Sequence, residues 1–197
     1  MTTNIILAGV GGQGILTIAA TLDTASLNNG LFFKQSEVHG MSQRGGAVQS
    51  HVRISDGQIY SDLIPMGEAD MILGMEPMEA LRYIPYLKKG GWIITEKNPF
   101  VNIDDYPEME KVFSKIESFK HHLVIDASGI AKKLGTSKAG NMVLLGAASH
   151  FIPIKDRALK AAIKSLFQAK SDRMVQLNLN AYETGKQYVK EQTGVLK

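Results

Sequence analysis

The opening of this chain constrains its fold most: an apolar run, a glycine cluster and a helical pattern follow one another directly. Asn4 to Ala8 read as a buried strand, and Gly9-Val10-Gly11-Gly12-Gln13-Gly14 comes next. From Gly14 to Leu27, the residues Ile15, Ile18, Ala19, Leu22 and Ala25 recur at helical spacing. Asn29-Gly30 ends that helix, and Leu31-Phe32-Phe33 begins a second strand. Such a strand–helix–strand unit is expected to cross over right-handed. A G-x-G-x-x-G placed between strand and helix is the setting a dinucleotide fingerprint needs. Its first glycine permits a tight turn, its second lets an anion approach the backbone, and its third lets helix and strand pack closely. Free amides and the helix dipole then favour a pyrophosphate or another anion. Three readings of the turn stay open: bound NAD, a phosphate-bearing ligand shared with a partner, and a purely structural turn. Glu37, at the end of the second strand, suits a ribose hydroxyl in the first of these.

The next segment breaks the βα alternation. Residues 36–46 (SEVHGMSQRGG) are polar and glycine-rich, which predicts a loop. Val48, Ser50, Val52 and Ile54 then alternate with Gln49, His51 and Arg53, the pattern of a half-buried strand. Asp56-Gly57 is a tight-turn signal, so Gln58 to Ser61 is expected to return as the second arm of a hairpin. Parallel-sheet logic resumes with Asp70 to Met75, a short helix over Met78 to Leu87 broken by Pro85, and strands at Trp92–Thr95 and Leu123–Asp126. A helix around Glu108 to Ser118 falls between the last two. The C-terminal third reads as helical: an uncharged apolar run over Ala139–His150, then amphipathic stretches at Asp156–Gln168 and Asp172–Glu191, each opening on an acidic residue. The fold expected is a three-layer, Rossmann-like α/β domain, with a mostly parallel sheet, an inserted antiparallel hairpin and a helical C-terminus. Residues 1–197 are expected to form one domain.

Composition narrows the chemistry. At 197 residues, 44% hydrophobic and 21% charged, the chain can bury a sizeable core. No apolar run approaches the roughly 20 residues of a membrane span, and the N-terminus lacks the basic start of a signal peptide, so a cytoplasmic protein with no membrane partner is expected. There is no cysteine. That excludes thiolate catalysis, Cys-ligated zinc and an ordinary iron–sulfur cluster on this chain. Lys155, Arg157, Lys160, Lys164, Lys170 and Arg173 concentrate basic charge toward the C-terminus, but no aromatic residues interleave with them, which speaks against nucleic acid. They read as a solvated helix face or as a surface for phosphate or partner.

Two features then coincide: GVGGQG at the start and SEVHGMSQRGG at the end of the second strand. Together they resemble the gamma-type subunit or domain of the 2-oxoacid:ferredoxin oxidoreductases. The version with His39-Gly40-Met41-Ser42-Gln43-Arg44-Gly45-Gly46 is similar to the arylpyruvate (indolepyruvate) branch. GEADMILGMEPMEALRYIPYLKKGGWII and AGNMVLLGAAS also look like this family, so the resemblance covers nearly the whole chain. It implies an enzyme that decarboxylates a 2-oxoacid on thiamine diphosphate, passes electrons through iron–sulfur clusters to ferredoxin, and releases an acyl-CoA. A large partner subunit would hold the thiamine diphosphate and the clusters. This chain, with no cysteine and no thiamine-type Gly-Asp-Gly, fits an accessory subunit that covers the active site and helps bind coenzyme A. By the same resemblance, Gly9, Gly11, Gly12, Gln13 and Gly14 present amides to a CoA phosphate. Arg44 offers a forked guanidinium, Gly45 and Gly46 allow close backbone approach, and Ser36 and Glu37 fix the loop. For Arg44 a salt bridge to Glu37 or to the partner stands as the other reading. No catalytic residue is assigned to this chain, and no metal site.

Other polar residues carry less. His39 reads as fixing its own loop or, second, as standing near the substrate, and His51 as part of an interface or solvated face. His121, His122 and His150 have no second ligand at metal spacing. Ser128 reads as a helix cap, and Asp104-Asp105 have no motif around them. There is no G-x-S-x-G elbow of a serine hydrolase. Two rival readings remain, a free-standing NAD- or FAD-binding oxidoreductase and a non-catalytic interaction module.

Overall fold

A computed structural model of the chain describes residues 1–40, 45–101 and 103–193, with residues 192 and 193 described by their backbone alone. One six-stranded sheet organises them: β1 (Thr2–Val10), β2 (Phe32–His39), β3 (Ala47–Ser55), β4 (Ala69–Gly74), β5 (Leu87–Glu96) and β6 (His122–Ile125). The strand order is β2-β3-β1-β4-β5-β6, with β1, β4, β5 and β6 parallel and β3 antiparallel to both its neighbours. The expected fold class is therefore the one observed. Seven helices are described: α1 (Ile15–Leu27), α2 (Pro77–Arg82), α3 (Met109–Glu117), α4 (Ala127–Lys133), α5 (Gly140–Ala148), α6 (Asp156–Gln168) and α7 (Asp172–Thr193).

Strand alternation sorts the layers. Ile5 and Leu7 of β1 join the large core formed with α1 and α4 to α7, whereas Ile6 and Ala8 point into a smaller core with α2 and α3. All nine residues of α5 are buried, which accounts for the uncharged run. Helix α5 packs on α7 at two glycines. A Cβ on Gly146 would lie 2.8 Å from the carbonyl carbon of Tyr182, and one on Gly185 would lie 2.7 Å from that of Val143. No helix among the described residues is long and apolar enough to cross a membrane.

The antiparallel element differs from the sequence expectation. The hairpin joins β2 to β3 through residues 40–46, and Gln58–Ser61 is not a strand. The reason is that β3 has no free edge: β1 pairs along one side and β2 along the other. The segment after Asp56-Gly57 is held instead by side chains. Arg53 donates to the Ser61 and Leu63 carbonyls at 2.9 and 3.1 Å, and the Lys34 ammonium donates to the Tyr60 carbonyl at 3.2 Å. His51 is buried, not on a solvated face. Its Nδ1 accepts the Ile64 amide at 3.0 Å, and burial pulls its pKa down, as suits an imidazole acting as an acceptor. Helix α2 ends at Arg82, one 3₁₀ turn follows at Ile84–Tyr86, and β5 begins at Leu87 with its register shifted before Trp92. Lys89-Gly90-Gly91 thus lies inside β5 and does not close a helix.

Candidate functional site

The parallel strands β1, β4, β5 and β6 deliver their carboxyl ends to one side of the sheet, where α1 leaves β1 on one face and α2 leaves β4 on the other. That divergence opens a crevice between neighbouring parallel strands, the usual ligand position in such sheets. The glycine turn forms its rim. Gly12 (φ 99°) and Gly14 (φ 85°) take left-handed conformations that L side chains rarely adopt, and Gly14 is the N-cap of α1. Gly9 lies within β1 and is excluded from carrying a side chain by Gln13 Oε1 and Met75 Cβ at 2.7 and 2.8 Å. Gln13 locks the turn: its Oε1 accepts the Val10 amide at 2.7 Å, while its own amide donates to the Val10 carbonyl at 3.1 Å. Among the described residues no partner takes the Gly12 amide, and the amides of Ile15 and Leu16 lie in the first turn of α1, where helices lack internal acceptors.

The second signature loop meets the first. The Gly11 amide donates to the Gly46 carbonyl at 2.9 Å, and Gly40 donates to the Ala47 carbonyl at 2.9 Å. Gly45 takes φ 84° just before this junction. Of the other residues singled out in the sequence, Ser36 and Glu37 stand on β2 opposite His51 and Ser50 of β3. The Glu37 carboxylate accepts from Gln35 Nε2 at 3.1 Å and pairs with the His39 ring, so His39 does fix this strand end. Arg44 lies outside the described residues. Glu37 is poorly placed for a ribose beside the turn. Its strand is separated from β1 by β3, a displacement of about 10 Å at ordinary strand spacing.

Two hollows flank the turn. The smaller, about 290 Å³, lies toward β2 and is lined by Gly11, Gly12, Leu16, His39 and Val48 among others. The larger, about 550 Å³, shares Gly12 and Gly14 with it and opens toward the C-terminal helices. Its walls come from four places: Met75 after β4, Glu96 and residues 98–100 at the end of β5, Ser128 after β6, and residues 136–141 leading into α5. Phe167, Lys170, Met174 and Asn178 at the α6–α7 junction close the far side. The wall after β5 is held by a saturated carboxylate. Glu96 accepts the amides of Lys97 (2.8 Å), Asn98 (3.0 Å) and Ser128 (2.8 Å). Its burial raises its pKa, against the pull of those amides. Asn98 Nδ2 donates to Asp126 Oδ1 at 2.7 Å and to Ser128 Oγ at 2.8 Å, and Asp126, not Ser128, caps α4 by accepting the Gly129 amide at 2.9 Å. Lys138 and Lys170 bring positive charge to a cleft whose own buried carboxylate is already satisfied. Among the described residues no group of His, Cys, Asp and Glu could hold a metal ion.

The pyruvate ferredoxin/flavodoxin oxidoreductase family model matches residues 4–188, nearly the whole chain. The chain belongs to this family. Among its relatives, indolepyruvate oxidoreductase subunit IorB of Thermococcus kodakarensis is 38% identical, over 98% of each chain. Two solved structures of the same fold are more distant in sequence. The keto/oxoacid ferredoxin oxidoreductase gamma subunit of Geobacter sulfurreducens superposes with a TM-score of 0.71 at 23% identity, covering 96% of this chain and 99% of its own. The 2-oxoglutarate:ferredoxin oxidoreductase of Magnetococcus marinus, solved with 2-oxoglutarate, coenzyme A and succinyl-CoA bound, superposes with a TM-score of 0.78 at 24% identity. It covers 98% of this chain, which spans about a third (32%) of the Magnetococcus chain.

For this family member, sequence reasoning found the two loops and the basic stretch that includes Lys170, but missed much of the cleft: Glu96, Asn98, Asn141, Lys138 and Phe100. Asn141 left one usable signal, as the only amide side chain in the uncharged run over Ala139–His150. The others have none, because each lines the same cleft as the turn while lying more than 80 residues from it along the chain.

Proposed function

We propose that this chain is the accessory subunit of a thiamine-diphosphate-dependent arylpyruvate (indolepyruvate):ferredoxin oxidoreductase, a single gamma-type unit of the cytoplasm. It pairs with a large subunit that carries the thiamine diphosphate and the iron–sulfur clusters, and through that subunit it serves ferredoxin. The 38% identity to an indolepyruvate oxidoreductase subunit over almost the full length supports the assignment to that branch.

Its own contribution is to bind coenzyme A, which supplies the thiol that accepts the acyl group. The observation that carries this reading is the junction of the two loops: the Gly11 amide on the Gly46 carbonyl fixes Gly46, two positions after Arg44 in the sequence, against the glycine turn. The residues fit such a ligand. Amides of Gly12 and of the first turn of α1 suit a phosphate, Lys138 and Lys170 suit further negative charge, and about 550 Å³ is a ligand-sized space. That the Magnetococcus enzyme was solved with coenzyme A bound is consistent with this assignment.

In this reading Arg44 supplies a charge-assisted bond to a CoA phosphate. Arg44→Ala in the reconstituted enzyme should raise the KM for CoA roughly ten- to hundredfold, for a loss of about 1.5–3 kcal/mol. Arg44→Lys should recover only part, since an ammonium cannot make the forked contact. If Arg44→Ala instead abolishes association with the large subunit, Arg44 is an interface residue and its assignment to CoA falls.

A further inference from the structure

Asn141 occupies an odd position for an amide side chain: the second residue of α5, a helix otherwise built of small and apolar groups. It is 5% exposed, and both ends of its amide are committed or aimed at the glycine turn. Oδ1 accepts the Met142 amide at 2.9 Å, and Nδ2 donates to the Gly14 carbonyl at 3.3 Å. The same Gly14 carbonyl accepts the amides of Thr17 and Ile18 at 3.1 and 3.2 Å, so it is the oxygen from which α1 begins. The approach leaves no room for a side chain: a Cβ on Gly14 would lie 2.5 Å from Nδ2.

Peptide planarity turns that contact into a statement about the ligand side. The Gly14 carbonyl and the Ile15 amide share one rigid peptide unit and point in opposite directions. A donor that holds the carbonyl back along α1 therefore fixes the Ile15 N–H toward the open, N-terminal end of that helix, beside the smaller hollow that Ile15 lines. Asn141 and Gly14 line the larger cleft, while Gly14, Ile15 and Leu16 line the smaller hollow on the other side of the turn. An amide NH₂ also brings two donors, and Gly14 takes one of them. A carboxylate of the same shape would keep the acceptor for Met142 but present only oxygen to the Gly14 carbonyl, and would place a negative charge beside the free amides.

We propose that Asn141 is a positioning residue for anion binding, holding the glycine turn so that the first amides of α1 meet a phosphate of coenzyme A. The inference rests on the reading of that turn as part of the CoA site. It does not make Asn141 a contact of the reacting atoms.

The test uses the complex reconstituted with the large subunit, with CoA as the varied ligand, and compares Asn141→Asp, Asn141→Ser and Gly12→Asp. Gly12 has open space around it, so an aspartate there meets no neighbouring atom; at φ 99° it strains the turn as well as charging it, and both effects act against a bound anion. Asn141→Asp should raise the KM for CoA about tenfold or more, and Asn141→Ser about three- to tenfold, the scale of a lost charge-sensitive and a lost neutral hydrogen bond. In both, kcat at saturating CoA should stay within about twofold, because the turn is not part of the chemistry. A purely structural role would lower the melting temperature or kcat and leave the KM for CoA unmoved, and that result overturns the proposal. Should Asn141→Asp fail to fold, Asn141→Ser decides alone by the same split. If Gly12→Asp raises the KM while neither Asn141 variant does, Asn141 has no positioning role and the CoA turn stands. If none of the three raises it, the turn does not bind CoA and both readings fall.

Discussion

Replacing Gly185 by alanine pits two effects of opposite sign against each other. Within a helix, Gly→Ala ordinarily stabilises by about 1 kcal/mol, because glycine loses more backbone freedom on folding. Position 185 lies inside the 22-residue α7, where that gain would apply in full. Packing opposes it. The added Cβ would lie 2.7 Å from the Val143 carbonyl carbon and 2.9 Å from its Cα, while carbon atoms settle at about 3.5 Å or more. The obstacle is backbone of a fully buried helix and cannot rotate away, so α5 and α7 must separate by the order of 1 Å along their contact. Overpacking of this kind costs about 3 kcal/mol or more when the backbone has to move, which leaves a net loss of about 2 kcal/mol or more. In a chain of this size that lowers Tm by roughly 4–8 °C. Gly146→Ala should behave alike, since its Cβ would meet the Tyr182 carbonyl carbon at 2.8 Å, and the double variant should fall short of additivity because both strain one crossing. Thermal unfolding followed by circular dichroism reads the sign directly. A Gly185→Ala chain that melts at or above the parent temperature would refute the close crossing of α5 and α7.

Two further outcomes concern polar groups that tie distant segments. Asp156 opens α6 and accepts Lys160 at 2.8 Å, Tyr182 at 2.9 Å and Lys186; burial works to raise its pKa, but these bonds outweigh it and hold it at about 2. A carboxyl depressed on folding stabilises fully above its ordinary value near 4 and loses that contribution as the pH falls toward 2, so Asp156→Asn should be less stable than the parent in denaturant titrations at pH 7 and indistinguishable near pH 2; an equal gap at both would contradict the assignment. Tyr106 donates to Glu76 Oε1, a carboxylate 1% exposed, and its pKa is pushed far up by burial and by that carboxylate. Tyr106→Phe leaves that oxygen, among the described residues, with only the Phe100 amide at 3.4 Å, which should cost about 1–3 kcal/mol in a thermal melt; an unchanged melting temperature would mean this segment is anchored elsewhere.

Local signals made most of the fold legible before any coordinates. The limits of α6 are those its periodicity gives, α3 and β6 fall within a residue or two of expectation, and the acidic openings of α6 and α7 mark true helix starts. The break in alternation after Phe33 rightly announced an antiparallel insertion. The misassigned hairpin shows where local reading stops. Asp56-Gly57 is a genuine turn signal, but a strand also needs an unpaired edge, and both edges of β3 were already taken by β1 and β2. Nothing near residue 58 encodes that competition. The site divides in the same way. The glycine turn and its companion loop carry their meaning in contiguous residues, whereas the opposite wall of the cleft is assembled from β5, β6 and the C-terminal helices by topology alone. Asn141 reaches Gly14 across 127 residues, a pairing that no window along the chain can see.

In the reading proposed above, this chain serves a thiamine enzyme and forms no active enzyme by itself. The direct measurement is arylpyruvate-dependent reduction of ferredoxin in the presence of CoA, made with this chain alone, with a cysteine-rich thiamine subunit alone, and with the two reconstituted. The reconstituted pair should form acyl-CoA, and this chain alone should show neither turnover nor the visible absorbance of an iron–sulfur cluster, since it has no cysteine to ligate one. Turnover of an arylpyruvate by this chain alone would contradict it.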